Sequence, residues 1–112
     1  MDGKEVKVTD YNVVKTLAAQ DHTCLIQAGK SYGDSWKRRG GVGAFMMLAR
    51  KWDRIENQTQ KCNWDVFEAI RKDPSSTGIL DDIRDLRRYL LLVEAEMTTN
   101  EQQSQLFDNS RV

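Results

Sequence analysis

Four carboxylates at helical spacing are the residues of this sequence best placed to do chemistry. Asp53 and Glu56 lie three residues apart in one segment, and Asp82 and Asp85 lie three residues apart in a later one. Residues three apart share a helix face, and a helical-wheel count places both pairs beside apolar stripes. If the two stripes pack together, the four acids converge and repel one another unless a cation lies between them. Carboxylate oxygens are suitable ligands for Mg²⁺ or Mn²⁺. Alternatively, the four residues are ordinary solvated acids at the edges of their helices.

A basic, glycine-rich segment is the second candidate site. Residues 37–43 read Lys-Arg-Arg-Gly-Gly-Val-Gly, directly ahead of a predicted helix. Backbone N–H groups at a helix start bind phosphate readily, and nearby Arg and Lys strengthen that preference. The segment is not a Walker A loop, because Ala44 and Phe45 follow it instead of Lys and Ser or Thr. The nearby aromatic residues Tyr32 and Trp36 could either stack on a nucleotide base or pack in the core. For residues 37–43 as a whole, the alternative interpretation is a flexible surface linker.

Apolar residues that recur at helical spacing predict four helices and hence an all-α fold. The first helix is predicted over residues 10–29 with Thr9 as its N-cap. The second is predicted over residues 43–60, and a short third helix follows Asn63 as its cap. The apolar stripe of the second helix is predicted to consist of Phe45, Leu48, Trp52 and Ile55. Lys51 and Arg54 are predicted to point away from it.

The last helix gives the clearest pattern. Its apolar residues repeat at alternating spacings of four and three, which is typical of a seam buried in a helix bundle: Ile79, Ile83, Leu86, Leu90, Val93 and Met97. Leu80, Leu91 and Leu92 lie outside the centre of that seam, so we expect an antiparallel helix bundle that forms a homodimer or homotetramer. Residues 98–112 are polar without a stripe and are predicted to be a frayed or disordered tail after a single helical domain over residues 1–97.

Composition excludes several classes of protein. The 112 residues are 39% hydrophobic and 30% charged, as in one soluble globular domain. The 17 basic and 17 acidic side chains cancel, so duplex nucleic acid is not an expected partner. The sequence has neither an apolar run long enough to span a membrane nor a signal peptide, so we expect a cytoplasmic protein with no membrane partner. In that compartment Cys24 and Cys62 are predicted to be free, buried thiols.

Three segments also carry a family resemblance: residues 32–36 (Tyr-Gly-Asp-Ser-Trp), residues 48–56 (Leu-Ala-Arg-Lys-Trp-Asp-Arg-Ile-Glu), and Ile79, Leu80, Asp82, Ile83, Asp85, Leu86, Tyr89 and Leu90. Together they resemble the nucleotide modification associated family, which belongs with the MazG-like all-α nucleotide pyrophosphohydrolases of phages and bacteria. The resemblance spans about residues 30–96. It implies a MazG-like bundle in which an EExxE motif and a later ExxD motif bind Mg²⁺.

The resemblance assigns both metal binding and catalysis to the four carboxylates, with Asp53 and Glu56 in the first motif and Asp82 and Asp85 in the second. The sequence departs from the family pattern, because it lacks the paired Glu-Glu and has the shorter Asp82 where Glu is usual. The implied activity is hydrolysis of an NTP or dNTP to a monophosphate and pyrophosphate, in phage nucleotide metabolism or base modification. Nucleotide is expected to bind at Lys30, Tyr32, Asp34, Trp36, Lys37 and Arg38.

Two alternatives to this hydrolase remain open at the level of sequence. The incomplete acidic motif favours a non-catalytic nucleotide-binding protein that sequesters a signalling nucleotide. A bundle whose only role is interaction with other helices is the second alternative.

Overall fold

The computed structural model describes residues 7–75 and 77–109, and from residue 102 onward only the path of the helix. All regular structure in those residues is helical: α1 at Tyr11–Tyr32, a 3-10 turn at Ser35–Lys37, α2 at Gly40–Gln60, α3 at Val66–Lys72 and α4 at Ile79–Asn109. The predicted all-α fold class is therefore confirmed. None of the described helices is both long and apolar enough to cross a membrane.

Internal contacts divide the chain into two units, which meet at the bond between Asp34 and Ser35. The first unit contains α1, and the second contains α2, α3 and α4. Each unit is described by itself below, and a single domain over residues 1–97 stays a prediction.

The α1 helix begins at Tyr11, one residue later than predicted, and continues without a break to Tyr32. Its N-cap is Asp10 rather than Thr9, because the Asp10 carboxylate accepts hydrogen bonds from the backbone N–H groups of Asn12 and Val13 at 3.0 and 3.4 Å. A carboxylate at this position also interacts favourably with the positive end of the helix dipole. The helix ends at Gly33, whose φ of +61° is accessible to glycine without steric strain.

Two glycines of this unit give a matched pair of substitutions with opposite expected signs. Gly33→Ala is expected to lower the free energy of unfolding by about 1 kcal/mol, because alanine is strained at positive φ. Gly29→Ala is expected to raise it by roughly 0.5 to 1 kcal/mol, because Gly29 lies inside α1 with open space around its Cα. Chemical denaturation and amide exchange in α1 measure both effects. A neutral or stabilising Gly33→Ala substitution would contradict the role given to this helix end.

The boundaries of the second unit also differ from the predicted ones. The α2 helix begins at Gly40, three residues earlier than predicted, and so includes part of the glycine-rich segment. The N-cap of α3 is Asp65, which accepts from the N–H groups of Phe67 and Glu68 at 3.0 and 3.2 Å. Asn63, the predicted cap, instead lies in the turn after α2 with a φ of 57°. Asparagine tolerates this left-handed conformation better than most residues.

The α4 helix continues beyond the predicted seam. It reaches Asn109, so the disordered or frayed tail predicted from residue 98 is helical as far as that residue, and residues 110–112 lie outside the described part. Residues 98–109 contain no glycine or proline, and they include Glu, Gln and Leu, which favour helix. A helix that is already nucleated propagates readily through such a sequence without an apolar stripe.

The core of the second unit is small and lies toward one end of α4. Its buried members are Ile55, Cys62, Ala69 and Ile79, with half-buried Val66, Ile70, Ile83 and Leu86 packed against them. It therefore covers only the first half of the α4 seam, whereas Leu90 and Met97 in the second half are 48% and 65% exposed. Cys24 and Cys62 both have free thiols; Cys62 is buried, whereas Cys24, also expected to be buried, is only half-buried.

Candidate functional site

A carboxylate buried between α2 and α4 lies at the centre of the best-formed polar site in the second unit. Asp82, in the first turn of α4, is 1% exposed. Its Oδ1 accepts a hydrogen bond from Arg54 Nε at 2.7 Å, and its Oδ2 accepts one from Gln58 Nε2 at 3.0 Å. Both oxygens of the buried acid are thus used by donors from α2, which is the condition for burying such a group without a large penalty.

A lysine ammonium lies between this acid and the next one on α4. Lys51 Nζ is 2.9 Å from Asp85 Oδ2 and 4.0 Å from Asp82 Oδ1. The Lys51 side chain is four-fifths buried, so solvent screens these contacts less than it screens a surface ion pair. We refer to Lys51, Arg54, Gln58, Asp82 and Asp85 as the charge cluster. Its two cations and two carboxylates balance to a formal charge of zero.

The cluster also fixes the direction in which the two helices pack. Gln58 meets Asp82, while Lys51, earlier in α2, meets Asp85, later in α4. Residue numbers therefore rise on one helix as they fall on the other, so α2 and α4 are antiparallel. Lys37, ahead of α2, donates to Glu96 Oε1 at 2.8 Å, and this contact continues the same direction along α4.

The prediction that Lys51 and Arg54 point away from the packed side of α2 is wrong. With Gln58 they occupy positions i, i+3 and i+7, which form one stripe on a helix, and this stripe faces α4. The sequence interpretation placed the packed side around Phe45 and Trp52, which are instead 63% and 54% exposed. The packed side is centred on Ile55, one member of the predicted stripe, and the exposed aromatic members of that stripe shifted its predicted centre away from Lys51 and Arg54.

The structure does not bring the four predicted carboxylates together. Asp82 and Asp85 do share the side of α4 that faces α2. Asp53 and Glu56 are exposed, and they lie about 160° and 100° around α2 from Ile55. Within residues 7–75 and 77–109, no group of three or more His, Cys, Asp or Glu side chains is arranged to hold a metal ion.

The donor set described here does not fit a resident Mg²⁺ ion. Carboxylate oxygens are suitable ligands, but both oxygens of Asp82 already accept hydrogen bonds from Arg54 and Gln58. The position between Asp82 and Asp85 is taken by the Lys51 ammonium. A cation between converging acids is required on electrostatic grounds, and here the chain supplies it from its own α2 helix.

The residues predicted to bind nucleotide are distributed over both units. Lys30 and Tyr32 are in the last turn of α1 and Asp34 follows them, while Trp36 and Lys37 are in the 3-10 turn of the second unit, and Arg38 follows.

Within the second unit, the 3-10 turn is anchored far from the charge cluster. Lys37 pairs with Glu96, and its ammonium lies 5.9 Å from the centre of the Trp36 ring. Glu96 is eleven residues beyond Asp85, or roughly 16 Å along α4. Lys37 therefore does not belong to the charge cluster.

An apolar groove beside the charge cluster was not predicted as a site. It has a volume of about 410 Å³, and its apolar lining includes Trp52, Val66, Leu86, Leu90 and Leu91. Arg87 and Glu94 stand at its polar edge. The signal in the sequence was Leu91, outside the centre of the α4 seam, next to Leu86 and Leu90 of the seam itself, but their arrangement around α2 and α3 required the structure.

Comparisons with protein-family models, curated proteins and solved structures find no match to this chain. The MazG-like resemblance therefore rests on the three segments quoted above.

Proposed function

We propose that this chain is a self-associating helical module, in which a second copy covers the apolar groove of the α2–α4 layer. The observation that carries the proposal is the groove itself, where Trp52, Leu90 and Leu91 remain 54%, 48% and 42% exposed. Exposed apolar residues that are grouped in one groove and bordered by polar residues are typical of interaction sites. Full burial of a leucine side chain contributes about 1.5 to 3 kcal/mol, so covering these residues is a substantial driving force.

The small core supports the same proposal. Among the residues described in the second unit, the buried apolar cluster consists of Ile55, Cys62, Ala69 and Ile79. Domains near this size often gain stability from oligomerisation, because their own cores are modest. The charge cluster complements this role, since its directional contacts hold α2 and α4 in one register and so keep the groove formed.

A pair of leucine substitutions on α4 tests this proposal. Leu91→Glu places a charge in the groove, whereas Leu80→Glu is a matched control, because Leu80 is similarly exposed at 37% and does not line the groove. The molar mass of each variant is measured by light scattering at about 100 µM, well above a micromolar dissociation constant. We expect the parent and Leu80→Glu to form oligomers and Leu91→Glu to be a monomer. Equal masses for all three proteins would contradict the proposal.

Mg²⁺-dependent hydrolysis of a nucleoside triphosphate is our second proposal. One observation favours it: Asp82 and Asp85 lie together facing α2, at the positions that the MazG-like resemblance gives to its second acidic motif. Because Lys51 and Arg54 already pair with these acids, the proposal requires the two cations to release them when nucleotide and metal bind. A triphosphate offers anionic oxygens as new partners for both cations.

Pyrophosphate release tests the hydrolase proposal. The parent, Asp85→Asn and the control Asp81→Asn are incubated with each NTP and dNTP and with Mg²⁺ or Mn²⁺. The proposal predicts pyrophosphate and monophosphate from the parent and from Asp81→Asn, and none from Asp85→Asn. Nucleotide binding without pyrophosphate release would favour the sequestering alternative, and absence of binding would leave only the self-associating module.

A further inference from the structure

We infer that the second copy docks its own α4 antiparallel to the first, about a two-fold axis that passes between Leu90 and Leu91. This inference rests on the proposed self-association and adds to it the partner segment, its direction and its register. It follows from the positions of the charged residues at the edge of the groove.

Arg87 and Glu94 have opposite charge and, among the described residues, are the two charged ones that line the groove. They are seven residues apart on α4, which places them on the same side of the helix. The midpoint between them falls between Leu90 and Leu91, two of the exposed leucines in the groove lining. The patch therefore has an apolar centre with one positive and one negative flank at equal distances.

Such a patch is complementary to itself in one direction only. In a two-fold interface each contact occurs twice, so an antiparallel α4 pair centred between Leu90 and Leu91 places Arg87 of each copy against Glu94 of the other. A parallel pair in register would oppose Arg87 to Arg87 and Glu94 to Glu94, and like charges placed together disfavour association. Charge complementarity thus selects the antiparallel arrangement, and the apolar centre supplies the driving force.

Trp52 supports a second α4 helix as the occupant. It is the one aromatic side chain that lines the groove in the described part of the chain, and about half of its surface is exposed. Tryptophans at the edge of an apolar groove are frequent anchors of protein interfaces. Because α2 and α4 are held together by the charge cluster, Trp52 is presented beside the α4 leucines on a fixed surface.

Charge-reversal variants of Arg87 and Glu94, measured alone and as a mixture, test the antiparallel register of the two α4 helices. Arg87→Glu and Glu94→Arg are each expected to raise the dissociation constant of the homodimer at least tenfold, because two-fold symmetry makes every substitution act twice. An equimolar mixture of the two variants is expected to recover dimerisation, since every Glu at position 87 or 94 of one copy then faces Arg on the other. The double variant, with both reversals in one chain, is expected to dimerise like the parent.

The possible outcomes distinguish a failure of the antiparallel register from a failure of the proposed self-association. Sedimentation equilibrium gives the dissociation constants, and thermal melting shows that each variant is folded. If the parent associates but neither the mixture nor the double variant recovers dimerisation, the antiparallel register is wrong and self-association stands. If the parent is a monomer, the inference and the proposed function are both overturned.

Discussion

Asp82→Asn is expected to lower the free energy of unfolding by about 2 to 3 kcal/mol, one of the two largest effects that we predict for a single substitution. The substitution keeps the shape of the side chain and removes its charge. Arg54 then loses a charged acceptor at 2.7 Å, and one of the two asparagine atoms at this position is a donor that cannot accept the hydrogen bond from Gln58. Because half of the Arg54 side chain is exposed, water compensates for part of the loss.

Asp81→Asn is the matched control for this effect. Asp81 precedes Asp82 in the first turn of α4 and shares its interaction with the helix dipole. It is half-buried and is not part of the charge cluster. We expect it to change the free energy of unfolding by no more than about 0.5 kcal/mol. Urea denaturation of both variants measures the difference, and equal effects would show that the cluster contributes little beyond the helix dipole.

Lys51→Met is expected to destabilise the protein by about 1 to 2 kcal/mol and to make its stability dependent on Mg²⁺. Removal of the ammonium leaves Asp85 without its partner at 2.9 Å and leaves two acids close together. Arg54 still pairs with Asp82, but no cation of the chain remains beside Asp85, so binding of a divalent cation becomes more favourable. Metal at five times its dissociation constant would add about 1 kcal/mol, or roughly 4 °C in melting temperature.

The parent protein provides the decisive comparison for this prediction. We expect millimolar Mg²⁺ to shift its melting temperature by less than about 1 °C at matched ionic strength, because Lys51 fills the position between the acids. Arg50→Met removes a neighbouring exposed cation and serves as the charge control. A clear Mg²⁺ shift in the parent would contradict the internal-cation interpretation and would favour the metal-dependent hydrolase.

The charge cluster shows what the sequence could and could not predict about the site. Spacing correctly placed Asp82 and Asp85 together on the packed side of α4, because the apolar seam there is regular and its first residue, Ile79, is fully buried. The partners of these acids could not be predicted in the same way. Lys51 and Arg54 look like ordinary solvated residues in the sequence, and their pairing depends on how α2 is rotated about its axis.

The rotation of α2 about its axis was predicted wrongly for a physical reason. Phe45 and Trp52 dominate any count of apolar residues on α2, yet both are largely exposed. Periodicity identifies an apolar face but not what covers it, and a face reserved for a partner has the same signature as a core face. The same ambiguity applies to α4, whose seam is continuous in sequence although the buried core contacts only its first half.

Local boundaries were predicted less well than the helices themselves. Asp10 and Asp65 act as N-caps where Thr9 and Asn63 were expected, and all three residue types are plausible caps. The choice depends on backbone angles that a sequence pattern does not specify. The continuation of α4 to Asn109 likewise reflects propagation from a long helix, which a search for apolar stripes does not detect.

Dilution of the unmodified chain is the most direct test of the central claim, which is that the chain associates with a second copy of itself. Sedimentation equilibrium over about 1 to 200 µM covers the range in which an interface of this kind would assemble and dissociate. If a second copy covers the apolar groove, the molar mass should rise from that of the 12.9 kDa chain to twice that value or more as concentration increases. A constant monomer mass over the whole range would contradict the account.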